Sequence, residues 1–140
     1  MVRSLTVEVV TPSATVYKGE VEMVVATTTG GEVGILPLHA PIVAELAAGE
    51  LRLKKGTAEE TEVFATYGGY LQCAEDHMIV LTDNAVNIKD VDIAELERSL
   101  KSLDDRIKAL PKSAVDELNG LTRELEWTTN TYMIAKRHKK

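Results

Sequence analysis

Apolar residues recur along this chain with two different periods, and the change from one to the other falls near Lys89-Asp90. In the first part, Leu5, Val7 and Val9 alternate with Thr6 and Glu8, the period of 2 that buries one face of a β-strand. Val21, Met23 and Val25 alternate with Glu22, Val24 and Ala26 ahead of Thr27-Thr28-Thr29. Further strands are expected over 42–46, 51–54, 62–66, 70–74 and 78–82. Turn chemistry separates them at Thr11-Pro12-Ser13, Gly49-Glu50, Lys55-Gly56-Thr57, Gly68-Gly69 and Glu75-Asp76. Many short strands with closely spaced turns indicate an antiparallel sandwich or barrel. With no long helical crossover between them, parallel pairing is not expected.

Beyond Asp90, Ile93, Leu96, Leu100, Leu103, Ile107 and Leu110 are spaced 3, 4, 3, 4, 3, which predicts a helix with one narrow apolar seam. Asp92 is positioned to cap its first turn, with Glu95 three residues on as in a capping box. Pro111 ends that pattern, and Ser113 followed by Asp116 and Glu117 opens a second helix. Its seam reads Leu118, Leu121, Leu125, Thr128, Tyr132 and Ala135, with the same spacing. So short a link predicts an antiparallel hairpin. Thr128 makes the second seam impure and Gly120 weakens the helix interior, so the hairpin is expected to rest on the β part or on a partner. The fold class is α+β: an N-terminal antiparallel β-sandwich over 1–88, then a C-terminal antiparallel two-helix hairpin over 89–140.

One segment fits neither period. Residues 30–41 hold three glycines, two prolines, Glu32 and His39. Glycine supplies positive φ or close approach, and proline removes a donor, so a stiff, shaped loop is expected, of the kind that carries binding. The plainer alternative is a Gly30-Gly31 hairpin turn with Pro37 and Pro41 ending edge strands.

Charge and composition exclude several functions. The 22 acidic residues outnumber the 16 basic ones, giving a net charge of −6. Such a chain, with Phe64, Trp127 and four tyrosines as its aromatics, is poorly suited to nucleic acid. The single Cys73 reads as a small apolar strand residue. His39, His77 and His138 lack metal-ligand spacing, and neither a secretory signal nor a membrane span is read. Ser13, Thr27 to Thr29 and His39 offer only a weak nucleophile–base arrangement. No catalytic residue, metal or cofactor is assigned. Four of the basic residues, Lys136, Arg137, Lys139 and Lys140, crowd into the last five positions. They either complement a helix C-terminus or face an acidic partner.

Taken in order, several segments resemble the epsilon subunit family of F-type ATP synthases, called delta in mitochondria. They are Val9-Val10-Thr11-Pro12, Val16-Tyr17-Lys18-Gly19-Glu20-Val21, Gly31-Glu32-Val33-Gly34-Ile35-Leu36-Pro37, His39-Ala40-Pro41, Gly49 to Leu53, Gly68-Gly69-Tyr70 and Ile79 to Ala85. The resemblance covers nearly the whole chain. It implies a sandwich of about ten strands and a helical hairpin, in a non-catalytic central-stalk subunit that couples proton flow to ATP synthesis. It further implies gamma and the c-ring as partners, with Gly31, Glu32 and His39 in that contact, at the cytoplasmic face of the bacterial plasma membrane without insertion into it. The resemblance implies in addition that the hairpin can extend toward the catalytic alpha and beta subunits and inhibit hydrolysis. Arg123, Lys136, Arg137, Lys139 and Lys140 are the residues expected to make that contact. A free-standing binding module with a helical oligomerisation hairpin is the alternative.

Two positions depart from the family pattern. Leu38 stands where glycine usually precedes the histidine. ATP-binding members carry Ile/Leu-Asp-x-x-Arg-Ala at the first helix, and here Val91-Asp92-Ile93-Ala94-Glu95-Leu96 retains the aspartate alone. Glutamate cannot supply the bidentate fork that arginine offers a phosphate, so weak or absent ATP binding is expected, with Arg98 the nearby substitute.

Overall fold

The computed structural model describes residues 3–139, and of 57–59 the backbone alone. Among the described residues nine strands precede two long helices. β1 (Leu5–Val10), β2 (Thr15–Val21), β3 (Met23–Thr28), β4 (Gly31–Ile35), β5 (Ile42–Lys55), β6 (Thr57–Tyr67), β7 (Tyr70–Ala74), β8 (His77–Leu81) and β9 (Asn84–Asn87) form two sheets that share β5. One sheet runs β2-β1-β8-β7-β5 and the other β4-β3-β5-β6-β9. Their inner faces enclose Leu5, Val7, Val9, Val24, Ile35, Leu51, Leu53, Phe64, Leu71 and Val80, all within 3% of full burial.

The expected sandwich is present, with informative departures. β1 and β8 pair in parallel, Thr6 opposite His77 through Val10 opposite Leu81, although no helix connects them. The six intervening strands serve as the crossover, which counting helices cannot anticipate. The strand expected across 21–26 is two strands broken at Glu22, and the phase shifts there: Val21 on β2 and Val24 and Ala26 on β3 face the core. Gly49-Glu50 is no turn. β5 runs 14 residues straight through it, and its pairing with β3 jumps from Ala26–Leu51 to Thr28–Leu46. That irregularity lets Leu46 and Leu51 both point inward despite their odd spacing. Gly49 is needed for close approach instead, since a Cβ there would sit 2.6 Å from Thr27 Cβ.

Residues 30–41 split in the same way. Gly31–Ile35 is the edge strand β4, joined to β3 by the two-residue turn Thr29-Gly30, so a hairpin is present here, with its turn one residue earlier than Gly30-Gly31. The shaped loop is confined to 36–41.

A short 3-10 turn, Ile88–Asp90, leads into α1 (Ile93–Ala109) and α2 (Val115–His138). Asp92 Oδ1 caps α1, accepting from the N–H groups of Ala94 and Glu95 at 2.9 and 3.4 Å. The N-cap of α2 is Ala114, without a side-chain bond, rather than Ser113. The helices run antiparallel: Tyr132 near the end of α2 donates to Glu97 near the start of α1 at 3.2 Å. The first seam is half-buried along its length, and Leu103 at its middle is buried. Thr128 in the second seam is buried at little cost, because its hydroxyl donates to the Glu124 carbonyl at 2.8 Å.

From Trp127 onward α2 gains a second covered face. Ile134 and Ala135 pack with Ala65 and Ile88, joined by Val63, Val86, Val91, Leu96 and Trp127. Asn130 Nδ2 donates to the carbonyls of Thr66 and Gly49 at 3.2 and 3.4 Å. Trp127 meets Tyr67 edge-on at 6.0 Å. The hairpin therefore rests on the outer face of the second sheet.

Two glycines should respond oppositely to alanine. At Gly69 (φ 100°) a Cβ would lie 1.9 Å from the Leu81 carbonyl oxygen. Gly69→Ala should lower unfolding stability by more than the roughly 1–3 kcal/mol of backbone strain alone. At Gly120 a Cβ meets nothing within 4 Å, so Gly120→Ala should stabilise by about 0.5–1 kcal/mol. Urea denaturation of both variants checks the pair.

Candidate functional site

The two sheets differ in what covers them. α2 covers the second; the outer face of the first is open and mixed, with large exposed hydrophobics at one end and the Glu8–Lys18 ion pair on the same face. Tyr70 lies opposite Leu81 and Leu81 opposite Val10, while Val43 lies opposite Gln72 and Gln72 opposite Ile79. Val43 is 70% exposed, Tyr70 55% and Leu81 49%. Large hydrophobics grouped and exposed on one sheet face are what a docking surface requires.

The loop at 36–41 carries Leu36 and Leu38, also exposed. Leu38 has φ 70°, the left-handed conformation that glycine would take without strain. The chain thus keeps a glycine-type path with a leucine in it. Asp76, in the β7–β8 turn, holds that path: Oδ1 accepts from the Leu38 N–H at 2.7 Å and Oδ2 from Arg3 Nη2 at 2.9 Å. The Leu38 amide and then Arg3 keep the Asp76 carboxyl below its ordinary value. His39 Nδ1 lies 2.6 Å from its own neighbour's carbonyl, that of Ala40.

Glu32 and His39 are not brought together by any contact. Glu32 is the second residue of β4, opposite Thr27, and the loop begins only after that strand ends. Gly31 precedes it with φ 117° and an open Cβ position. The Glu32 carboxylate instead meets Arg52 Nη2 at 3.4 Å. Arg52 Nη1 also bonds Glu50, a carboxylate only 4% exposed, on the outer face of β5. At the end of α2, His138 Nε2 lies 3.0 Å from Glu50 Oε2, within hydrogen-bond reach, and Arg137 Nη1 forms a looser ion pair with the same oxygen at 3.6 Å. Burial pushes the Glu50 carboxyl up, but the bonds from Arg52 and His138 outweigh it and hold it below the ordinary carboxylate value.

The basic tail thus contacts the sandwich while keeping Lys136, Arg137 and His138 exposed. Arg137 and His138 meet Glu50, and Lys139 Nζ donates to the carbonyls of Val91 and Lys89 at 2.6 and 3.5 Å. Lys136 Nζ lies over the Tyr132 ring, 6.0 Å from its centroid. Lys140 lies outside the described residues. Arg123 is exposed and stands thirteen residues earlier on α2, roughly 20 Å along the helix axis, apart from the tail. Sequence reasoning missed Glu50, Asn130 and the exposed sheet face. The signal for Glu50 was its alternation with Leu51 and Leu53 two residues before Arg52, an outward-facing pair of opposite charges, masked by reading Gly49-Glu50 as a turn.

At the start of α1 the Asp92 carboxylate is engaged as a cap, and Glu95 and Arg98 are exposed. Among the described residues no three His, Cys, Asp or Glu side chains converge as a metal site, and no helix is long and apolar enough to cross a membrane. The Thr27 and Thr28 hydroxyls donate to the carbonyls of Glu50 and Gly31.

Known proteins resemble this chain over most of its length. An epsilon chain of ATP synthase from Anoxybacillus flavithermus is 40% identical over 107 residues, 76% of this chain and 78% of the relative. The epsilon chain from Alkalihalophilus pseudofirmus is 38% identical over 113 residues, 81% and 84%. Among solved structures, a chain of the Euglena gracilis mitochondrial ATP synthase assembly shares the fold, with a TM-score of 0.72 at 17% identity over 96% of this chain and 82% of that one. The family model for the β-sandwich domain of the ATP synthase delta/epsilon chain matches residues 4–88. The chain belongs to the ATP synthase delta/epsilon family.

Proposed function

We propose that this chain is a non-catalytic subunit of the rotating central stalk of a proton-translocating F-type ATP synthase, bound to gamma and the c-ring. It couples proton flow to ATP synthesis carried out on the alpha and beta subunits, from the cytoplasmic face of the bacterial plasma membrane. One observation carries this reading: the first sheet leaves Val43, Tyr70 and Leu81 uncovered on its outer face, beside a loop that keeps Leu38 exposed at a strained φ. Strain persists where surrounding structure enforces it, commonly at functional positions. Burying Leu38 and Val43 in an interface would contribute about 1.5–3 kcal/mol each. Of the residues expected in that contact, His39 lies in this loop, whereas Gly31 and Glu32 sit on the edge strand β4 of the second sheet, and Glu32, being exposed, contributes at most about 1 kcal/mol.

In the same reading the hairpin, a separate unit over 89–140, leaves the sandwich to reach the catalytic subunits and inhibit hydrolysis. What favours release is the modest contact that holds it: four fully buried apolar residues and a few polar bonds, against the extensive core of the sandwich. Arg123 and the tail cations Lys136, Arg137, Lys139 and Lys140 then face an acidic loop of the beta subunit.

Pull-down with gamma and the c-ring tests the first part. Leu38→Asp combined with Val43→Glu should weaken binding about 100-fold or more while preserving the fold, whereas replacing Glu32 and His39 should weaken it only a few-fold. Self-association without gamma binding would favour a free-standing module.

In reconstituted enzyme, truncation after Lys89 should preserve coupling and raise ATP hydrolysis. Reversing Arg137 or Lys139 would both undock the tail and remove its cations, so Lys136→Glu is the cleaner variant. It should relieve part of the inhibition, and less so at high salt. Equal ATPase rates for all variants would overturn the inhibitory role.

The docked state should fail in acid. Because the folded Glu50 carboxyl lies below its ordinary value, its contribution is full above the ordinary carboxylate range and lost as pH falls through the lowered value. Protonation would leave Arg52, Arg137 and His138 gathered without their anion. Trp127 emission should change over that acid interval in the wild-type chain and lack the step in Glu50→Gln.

A further inference from the structure

Arg52 joins two carboxylates that reach different surroundings. Its Nη1 bonds Glu50, buried under the hairpin, and its Nη2 lies 3.4 Å from Glu32, 58% exposed on the edge strand. The three side chains together carry a net charge of −1. Two residues from the end of α2 face them: Arg137 at 3.6 Å and His138 at 3.0 Å from Glu50 Oε2. Arg137 keeps its charge at any physiological pH, and His138 adds a second when protonated. The tail is therefore held by a receptor whose attraction depends on Glu32 as well as on Glu50. Take away the charge of Glu32 and the receptor becomes neutral.

We propose that Glu32, Arg52 and Glu50 act as one shared-charge receptor for the hairpin's C-terminal cations, so that a partner's cation binding Glu32 loosens the hairpin. Glu32 is built to be reached. It lies on a strand with a single neighbour, β3, and on its own face of that strand the next position, Gly34, carries no side chain. An arriving lysine or arginine would satisfy Glu32 from outside, and Arg52 would then fully neutralise Glu50, leaving the tail cations without a net anion. The coupling is a property of the isolated chain; only the source of the arriving cation rests on the assembly reading above. Occupancy of the edge strand and release of the hairpin thereby become linked equilibria, each biasing the other.

Hydrogen exchange of the isolated, full-length chain at pH 7 and low salt tests this, read at the α2 amides from Trp127 to His138. Glu32→Gln should speed their exchange about 1.5- to 5-fold, the range for exposed ion pairs, and Glu32→Lys, a fixed mimic of the arriving cation, should speed it further. Both effects should shrink at 0.5 M salt. In a chain already carrying Arg137→Gln and His138→Gln, the Glu32 substitutions should leave α2 exchange unchanged. β4 and β3 amides serve as the control for local damage. Equal α2 protection in wild-type and Glu32→Lys chains overturns the proposal, as does an equal acceleration with the tail cations already removed. Coupling without gamma or c-ring binding would overturn the assembly reading alone; binding without coupling would overturn this inference alone.

Discussion

A single strand has to serve both sheets, and the rest of the molecule follows from how β5 does so. Its first part pairs with β7, with Ile42 opposite Cys73 and Ala44 opposite Leu71. Its second part pairs with β3 and β6, with Leu51 opposite Ala26 and Phe64. The irregularity between Leu46 and Leu51 shifts the side-chain phase so that both ends feed the same core. The same alternation then fixes what points away from the core. On the first sheet it is Val43, left exposed; on the second it is Glu50 and Arg52, which receive the hairpin.

The two outer faces are unequal in energy as well as in cover. The hairpin's attachment combines a small apolar patch around Ile134 and Ala135 with bonds to backbone carbonyls and one buried carboxylate. A buried carboxylate surrounded by cations gives geometric specificity more than net stability, because desolvation offsets much of the attraction. Such a contact defines one docked arrangement without making it deep. The sandwich core, by contrast, is continuous and apolar, and opening it would expose far more surface. Differences of this kind separate elements that move from elements that hold.

Leu38 illustrates how a departure from a family pattern is absorbed. A leucine in the left-handed region is uncommon, yet the loop keeps its course because Asp76, in a turn 38 residues away, accepts the Leu38 N–H. Asp76 itself sits at positive φ beside Glu75, and Arg3 bonds its second oxygen. The consequence is an apolar side chain displayed where glycine would display none.

Alternation alone identified β1, β7 and nearly all of β8, and the 3, 4, 3 spacing identified both helical seams and the Asp92 cap, because these depend on local periodicity and on bonds within a few residues. The family pattern in 30–41 likewise needed no structure. Tertiary structure alone decided the continuity of β5, the parallel pairing of β1 with β8, and the second buried face of α2 at Thr131 and Ile134. It also turned a tail readable as free charge into one held by Glu50, Val91 and Lys89. Sequence separation is the physical reason: Glu50 and His138 lie 88 positions apart. No local period records a partner that distant, whereas an odd phase shift at Gly49 looks like a turn until both sheets are seen to share the strand.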